Sequence, residues 1–173
     1  MNIRIFLMIN LIISSVYATS FELKDARGHG IITLEREWTL LKETLGIPFL
    51  FVSKGDNPNS SIGITFTGIK NAALNPKSLK TTQDKYRVGR KKWAKKSDAK
   101  ILLFKDYKNF KNKNKLSVHS VGHNYKQNNK LFFETSYYLE CPKNFVHIKT
   151  LIYEKHNRLK SDAARAIESF KCK

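Results

Sequence analysis

The sequence predicts one α+β domain, a central and largely antiparallel sheet of about seven strands with helices packed on its faces. Three observations carry this. Stretches such as IGITFTG alternate apolar and polar residues with the period of a strand. Two stretches, from Ser78 and from Asn157, repeat apolar residues at helical spacing. Most links between strands are short turns, whereas parallel neighbours need long crossovers.

The chain opens MNIRIFLMINLIISSVYATS, with Arg4 as the lone charge, an apolar run from Ile5 to Ile13 broken by Asn10, and small residues at Val16 and Ala18. This is the anatomy of a secretory signal peptide. Cleavage is expected after Ala18, leaving 19–173 as a single domain in a periplasmic or extracellular setting. The run falls short of the roughly 20 apolar residues of a spanning helix, and no later stretch could span a bilayer. No Cys follows the cleavage position, which argues against a lipid anchor.

FELKDARGHG reads as a polar leader, and Ile31 to Glu35 as a short strand. Trp38 and LLKETLG follow as a short helical stretch, broken by Gly46 and Pro48. Pro48 to Ser53 has strand length, KGDNPNSS is a turn-rich loop, and Ile62, Ile64 and Phe66 mark the next strand. From Ser78, Leu79, Tyr86 and Trp93 recur every seventh residue with Ala94 beside the last, one stripe of a helix. Gly89 lowers helix propensity by about 1 kcal/mol relative to Ala, so a bend or fraying point is expected there. Ile101 to Phe104 and KDYKNF form a strand, NKNK a turn, and Leu116 to His123 a strand. After a turn at Asn128-Asn129 come a strand from Lys130 to Glu140, a CPKN turn and a strand from Phe145 to Tyr153. The closing helix carries Leu159, Ala163, Ile167 and Phe170 on one face. The predicted order is three strands, a helix, four strands and a helix.

Cys141 and Cys172 permit one intramolecular pairing, and an exported chain meets an oxidising compartment. Closing the intervening loop contributes about 3–4 kcal/mol in the chain-entropy model. Two buried free thiols are the alternative. No CxxC or Cys/His signature supports a catalytic thiol, so a structural disulfide is expected.

Taken together, ITLEREW, the stretch ending LGIPFLF, the strand ITFTG, the helix DKYRVGRKKW and the terminal AIESFKC resemble the PsbP-like family in element order and scattered residues. The resemblance spans nearly all of 19–173. It implies an α/β/α sandwich and a non-enzymatic role, as in accessory subunits of photosynthetic complexes, small bacterial envelope proteins or protein-binding regulators. It carries over no ligand site.

The histidines offer little for catalysis. His119 and His123 lie four apart on a predicted strand, about 13 Å, too far to share a zinc that needs converging ligands. A ribonuclease-like reading would set His119, His123 or His147 with Lys149 around a phosphate, but nothing in the sequence brings two imidazoles together. Glu134 and Glu140 point to one side of a strand and pair more readily with the Lys excess than as a glycosidase dyad. No catalytic, cofactor or metal motif is present, so no catalytic residue, cofactor or metal is assigned.

Charge is the strongest functional signal. Lys and Arg number 32 against 14 Asp and Glu, for a formal net charge of +18. Sixteen of those cations, with three Asp, lie between Lys70 and Lys115. Aromatics are interleaved (Tyr86, Trp93, Tyr107, Phe110), and Lys heavily outnumbers Arg, which favours long-range attraction over bidentate recognition. The expected anion-facing patch comprises Lys85, Arg87, Arg90, Lys91, Lys95 and Lys96. Its expected partner is an anionic protein or envelope polymer. The alternatives are nonspecific nucleic-acid or polyanion binding as the main function, and a secreted nuclease-like hydrolytic effector.

Overall fold

The computed structural model describes residues 18–35, 37–55, 59–68 and 78–173. The expected signal segment up to residue 17, the centre of the KGDNPNSS loop and the segment before Ser78 lie outside the described residues. No helix among the described residues is long and apolar enough to cross a membrane.

Among the described residues ten strands and two α-helices follow in order: β1 (Thr19–Asp25), β2 (Gly28–Leu34), β3 (Trp38–Thr44), β4 (Ile47–Ser53), β5 (Ser61–Gly68), α1 (Leu79–Lys96), β6 (Ala99–Lys111), β7 (Ser117–Gln127), β8 (Lys130–Glu140), β9 (Asn144–Tyr153), α2 (Asn157–Ser169) and β10 (Lys171–Cys172). Seven form one antiparallel sheet in the order β3-β4-β5-β9-β8-β7-β6, and β1-β2-β10 form a second, smaller one. The chain leaves β5 in mid-sheet, crosses through α1 to the far edge at β6, and returns strand by strand until β9 pairs with β5.

Two expectations for the first fifty residues need correction. The polar leader is a strand: Phe21 and Leu23 alternate with Glu22 and Lys24, and β1 pairs with β2 across a tight turn. In that turn the Asp25 carboxylate accepts the backbone N–H groups of Arg27 at 2.7 Å and Gly28 at 3.0 Å, a local device that suits Asp in turns. The stretch after Trp38 is likewise not helical but a strand, hairpinned onto β4. Leu45 and Gly46 both take positive φ, 54° and 72°, which is the two-residue hairpin turn whose twist matches the strands. A short helical stretch was the expectation there, yet strand pairing in the sheet outweighs weak local preference.

The core lies between the large sheet and a layer made of α2 and the small sheet. Phe51, Ile62, Ile64, Phe66, Ile148 and Phe170 are wholly buried there, each worth about 1.5–3 kcal/mol on removal from water. The predicted α2 face is the buried one: Leu159, Ala163, Ile167 and Phe170 all belong to this core. Asp162, buried on α2, accepts the Trp38 indole N–H and, at 3.2 Å, the Glu35 amide, which pins the helix to the start of β3. α1 covers part of the opposite face.

Candidate functional site

The side chains that hold α1 to the sheet also set where its charge points. Trp93 meets Tyr125 edge-on at 5.0 Å and His123 at 6.0 Å. The Tyr86 hydroxyl lies 2.9 Å from His123 Nδ1. Gln83 Oε1 accepts the Tyr107 amide at 2.6 Å, tying the helix to β6 within the register shift between Lys105 and Lys108. The helix runs through Gly89 without interruption, so it does not fray there. A Cβ built at Gly89 would meet nothing within 4 Å, so no neighbour forces a distortion.

Beneath the helix, Glu134 is buried on β8 and accepts from Arg90 at 3.2 Å and Lys149 at 3.0 Å. The Arg90 guanidinium also lies 5.7 Å from the centres of both the Tyr86 and Trp93 rings. Arg87 donates to Asp106 at 2.6 Å and lies 3.9 Å from Asp84. Both arginines are half-buried and committed to carboxylates, so neither presents a free charge outward. The planar guanidinium suits such partly buried, stacked pairing better than an ammonium does. Of the six residues expected in the patch, Lys85, Lys91, Lys95 and Lys96 are exposed, and Lys92 joins them. Lys95 and Lys96 also close the last turn of the helix, where cations complement the free carbonyls.

His119, His123 and His147 all project from the α1 side of the sheet, each with its own partners. His119 meets the Tyr107 hydroxyl at 2.8 Å, Asn109 at 2.9 Å and Glu140 at 3.0 Å. His147 stacks on Tyr138 at 4.5 Å with planes 8° apart. Tyr138 holds the register position between His119 and His147. His123 is wholly buried. Burial pushes the His123 imidazole down to about 4, with the Glu134 carboxylate opposing the shift. Burial, then nearby Lys149, pushes His147 down to about 4 as well. The Nε2 atoms of both rings are buried without a protein partner. Acid–base work on one phosphate needs two groups converging on it, and these three serve separate contacts.

A second cationic cluster has no signal in the sequence. Cys141 and Cys172 are disulfide-bonded, with Cα atoms 5.9 Å apart, as expected. Beside the bridge opens a cavity of about 660 Å³ where Lys24, Arg27, Lys143, Lys171 and Lys173 meet. They come from β1 and the turn after it, the β8–β9 turn, and β10 with the residue that follows it, so only the fold gathers them. Lys173 reaches Glu22 at 2.9 Å, and Asp25 holds its own turn together with Arg27 at 3.4 Å.

No protein-family model and no curated protein matches the sequence. Among solved structures, the solution structure of cyanobacterial PsbP (CyanoP) from Synechocystis superposes with a TM-score of 0.61 at 10% identity, covering 92% of this chain and 96% of that one. The crystal structure of LpqN from Mycobacterium tuberculosis superposes with a TM-score of 0.55 at 18% identity, covering 90% and 91%. The fold is PsbP-like, in agreement with the resemblance seen in the sequence.

Proposed function

We propose that this chain is an exported, non-enzymatic accessory domain whose outer α1 surface contacts an anionic protein or envelope polymer. One observation carries the reading. Of the carboxylates near α1, Asp84, Asp106 and Glu134 pair with Arg87, Arg90 and Lys149, while the exposed Asp98 follows the helix end; among the described residues no ion pair joins any carboxylate to the exposed Lys85, Lys91, Lys92, Lys95 and Lys96. Five uncompensated ammonium groups on one rigid helix make a field that attracts polyanions with little shape selectivity. The disulfide fits an oxidising compartment. One structural neighbour, LpqN, is described as involved in cell envelope biogenesis, which is in keeping with an envelope partner.

Retention on a sulfated-polysaccharide matrix tests the surface. Lys91→Glu with Lys95→Glu should lower the salt needed for elution and reduce the slope of log affinity against log salt by about 2, the rough number of ionic contacts removed. Elution unchanged by the double reversal would reject α1 as the contact surface. RNA and DNA degradation assays address catalysis: no cleavage is expected, and cleavage abolished by His119→Ala or His147→Ala would replace this reading with a hydrolytic one.

A further inference from the structure

The face of the large sheet opposite α1 carries a third, unrelated cationic feature at its β6 edge. Lys105 pairs in register with Gly122, and Gly122 with Thr135. With no side chain at position 122, the Lys105 stem lies across β7 and its Nζ donates to Thr135 Oγ1 at 3.0 Å. The passage is narrow: a Cβ at Gly122 would come within 3.0 Å of Thr135 Oγ1 and 2.5 Å of the Glu134 carbonyl oxygen. One register step along, Lys108 pairs with Ser120 and Ser120 with Tyr137. These groups, with Phe110, line a cleft of about 540 Å³, within the size range of small-molecule sites.

Lys105 is half-buried, and Thr135 is its hydrogen-bond acceptor in the structure. Asp106 is the acid at the rim, and Arg87 already holds its carboxylate at 2.6 Å. The neighbouring charges that act on Lys105 are of its own sign, Lys160 and Lys108; burial first, then these two, lowers the pKa of its ammonium group. Lys160 itself, on α2, sits 3.2 Å from the centre of the Phe133 ring. A partly desolvated ammonium among like charges is unfavourable unless an anion completes the site. Ser120, Thr135 and Tyr137 add hydroxyls for an oxyanion, while Phe110 and the Tyr137 ring offer apolar surface beside it.

We infer that this cleft binds a small amphiphilic anion, a carboxylate or phosphate head group on an aromatic or alkyl body, with Lys105 and Lys108 holding the head group. The site is separate from the α1 surface and stands or falls without it. Isothermal titration of the disulfide-bonded chain at pH 7 tests it with phenyl phosphate, benzoate, inorganic phosphate and benzyl alcohol. Phenyl phosphate or benzoate should bind, the tighter of the two identifying the head group, and benzyl alcohol should give no heat. Lys105→Met and Lys108→Met should each weaken binding by about tenfold or more, the scale of one charge-assisted hydrogen bond. Lys91→Met with Lys95→Met should leave it unchanged. Lys105→Met should melt no earlier than the parent without ligand, because it removes an uncompensated charge; if it melts earlier, Lys108→Met decides the matter. No binding of either aryl anion at millimolar concentration would overturn the inference. Equal affinity in the lysine variants would do the same, as would inorganic phosphate binding as tightly as phenyl phosphate.

Discussion

His147 lies flat against Tyr138 and His123 lies under Trp93 and Tyr86, and burial holds both rings near pKa 4, against 6.5 for an exposed imidazole. Because the folded values lie below the unfolded one, the unfolded chain binds more protons between about pH 6.5 and 4. Their contribution to stability is therefore complete above about pH 6.5 and is lost as pH falls through that window, up to about 3 kcal/mol for each ring. Denaturant melts at pH 7.5 and pH 4.5 should show the loss. His147→Phe, which keeps the stacked ring and removes one titration, should roughly halve it. A variant that loses as much stability in acid as the parent would show that this ring does not report the window. At this scale little was legible along the chain. It showed that His147 and Lys149 share a strand face, but the covering ring of Tyr138 comes from another strand and leaves no trace in local spacing.

At the scale of elements, the helices and the later strands were legible because their patterns are long. The α2 face of Leu159, Ala163, Ile167 and Phe170 is buried as its spacing required, and the turns at Asn128-Asn129 and after Glu140 fall between β7, β8 and β9. The segment after Trp38 departs from the expected helical stretch because WTLLKET is too short to carry a clear period, and pairing with β4 decides its conformation. The end of α2 shows the same dependence on distant partners. Asn112, in the turn between β6 and β7, is buried and donates to the carbonyls of Ile167 at 3.1 Å and Phe170 at 2.8 Å, while its own Oδ1 accepts the amides of Asn114 and Leu116. The disulfide then ties β10, which follows that helix, to the end of β8. Since Cys141 and Cys172 are 31 residues apart, Cys141→Ser with Cys172→Ser should lower unfolding free energy by about 3–4 kcal/mol. Guanidinium titration against the oxidised parent measures it, and a difference below about 1 kcal/mol would mean that the crosslink constrains the unfolded chain much less than the entropy model allows.

For the molecule as a whole, a formal net charge of +18 on 173 residues means self-repulsion. The arginines near α1 are neutralised by acids and Lys173 at the disulfide cavity pairs with Glu22, but among the described residues the outer lysines of α1 and the lysines of the Lys105 cleft have no ion-pair partner. Raising ionic strength from about 0.01 to 0.15 M shortens the screening length from roughly 30 to 8 Å, which should raise the melting temperature by several degrees. A melting temperature that falls over this range would show that attractive ion pairs, not repulsion, dominate the balance.

The sequence by itself determined the α+β class, the two helices and the later strands, the pairing of the two cysteines and the concentration of positive charge. Each of these depends on composition, periodicity or an enforced pairing, all of which are readable along one strand of chain. The tertiary structure decided which cations face solvent, which carboxylates silence Arg87 and Arg90, and that Gly122 opens a path for Lys105. Those outcomes depend on register between strands distant in sequence and on the desolvation that register imposes, and neither is encoded in any local window.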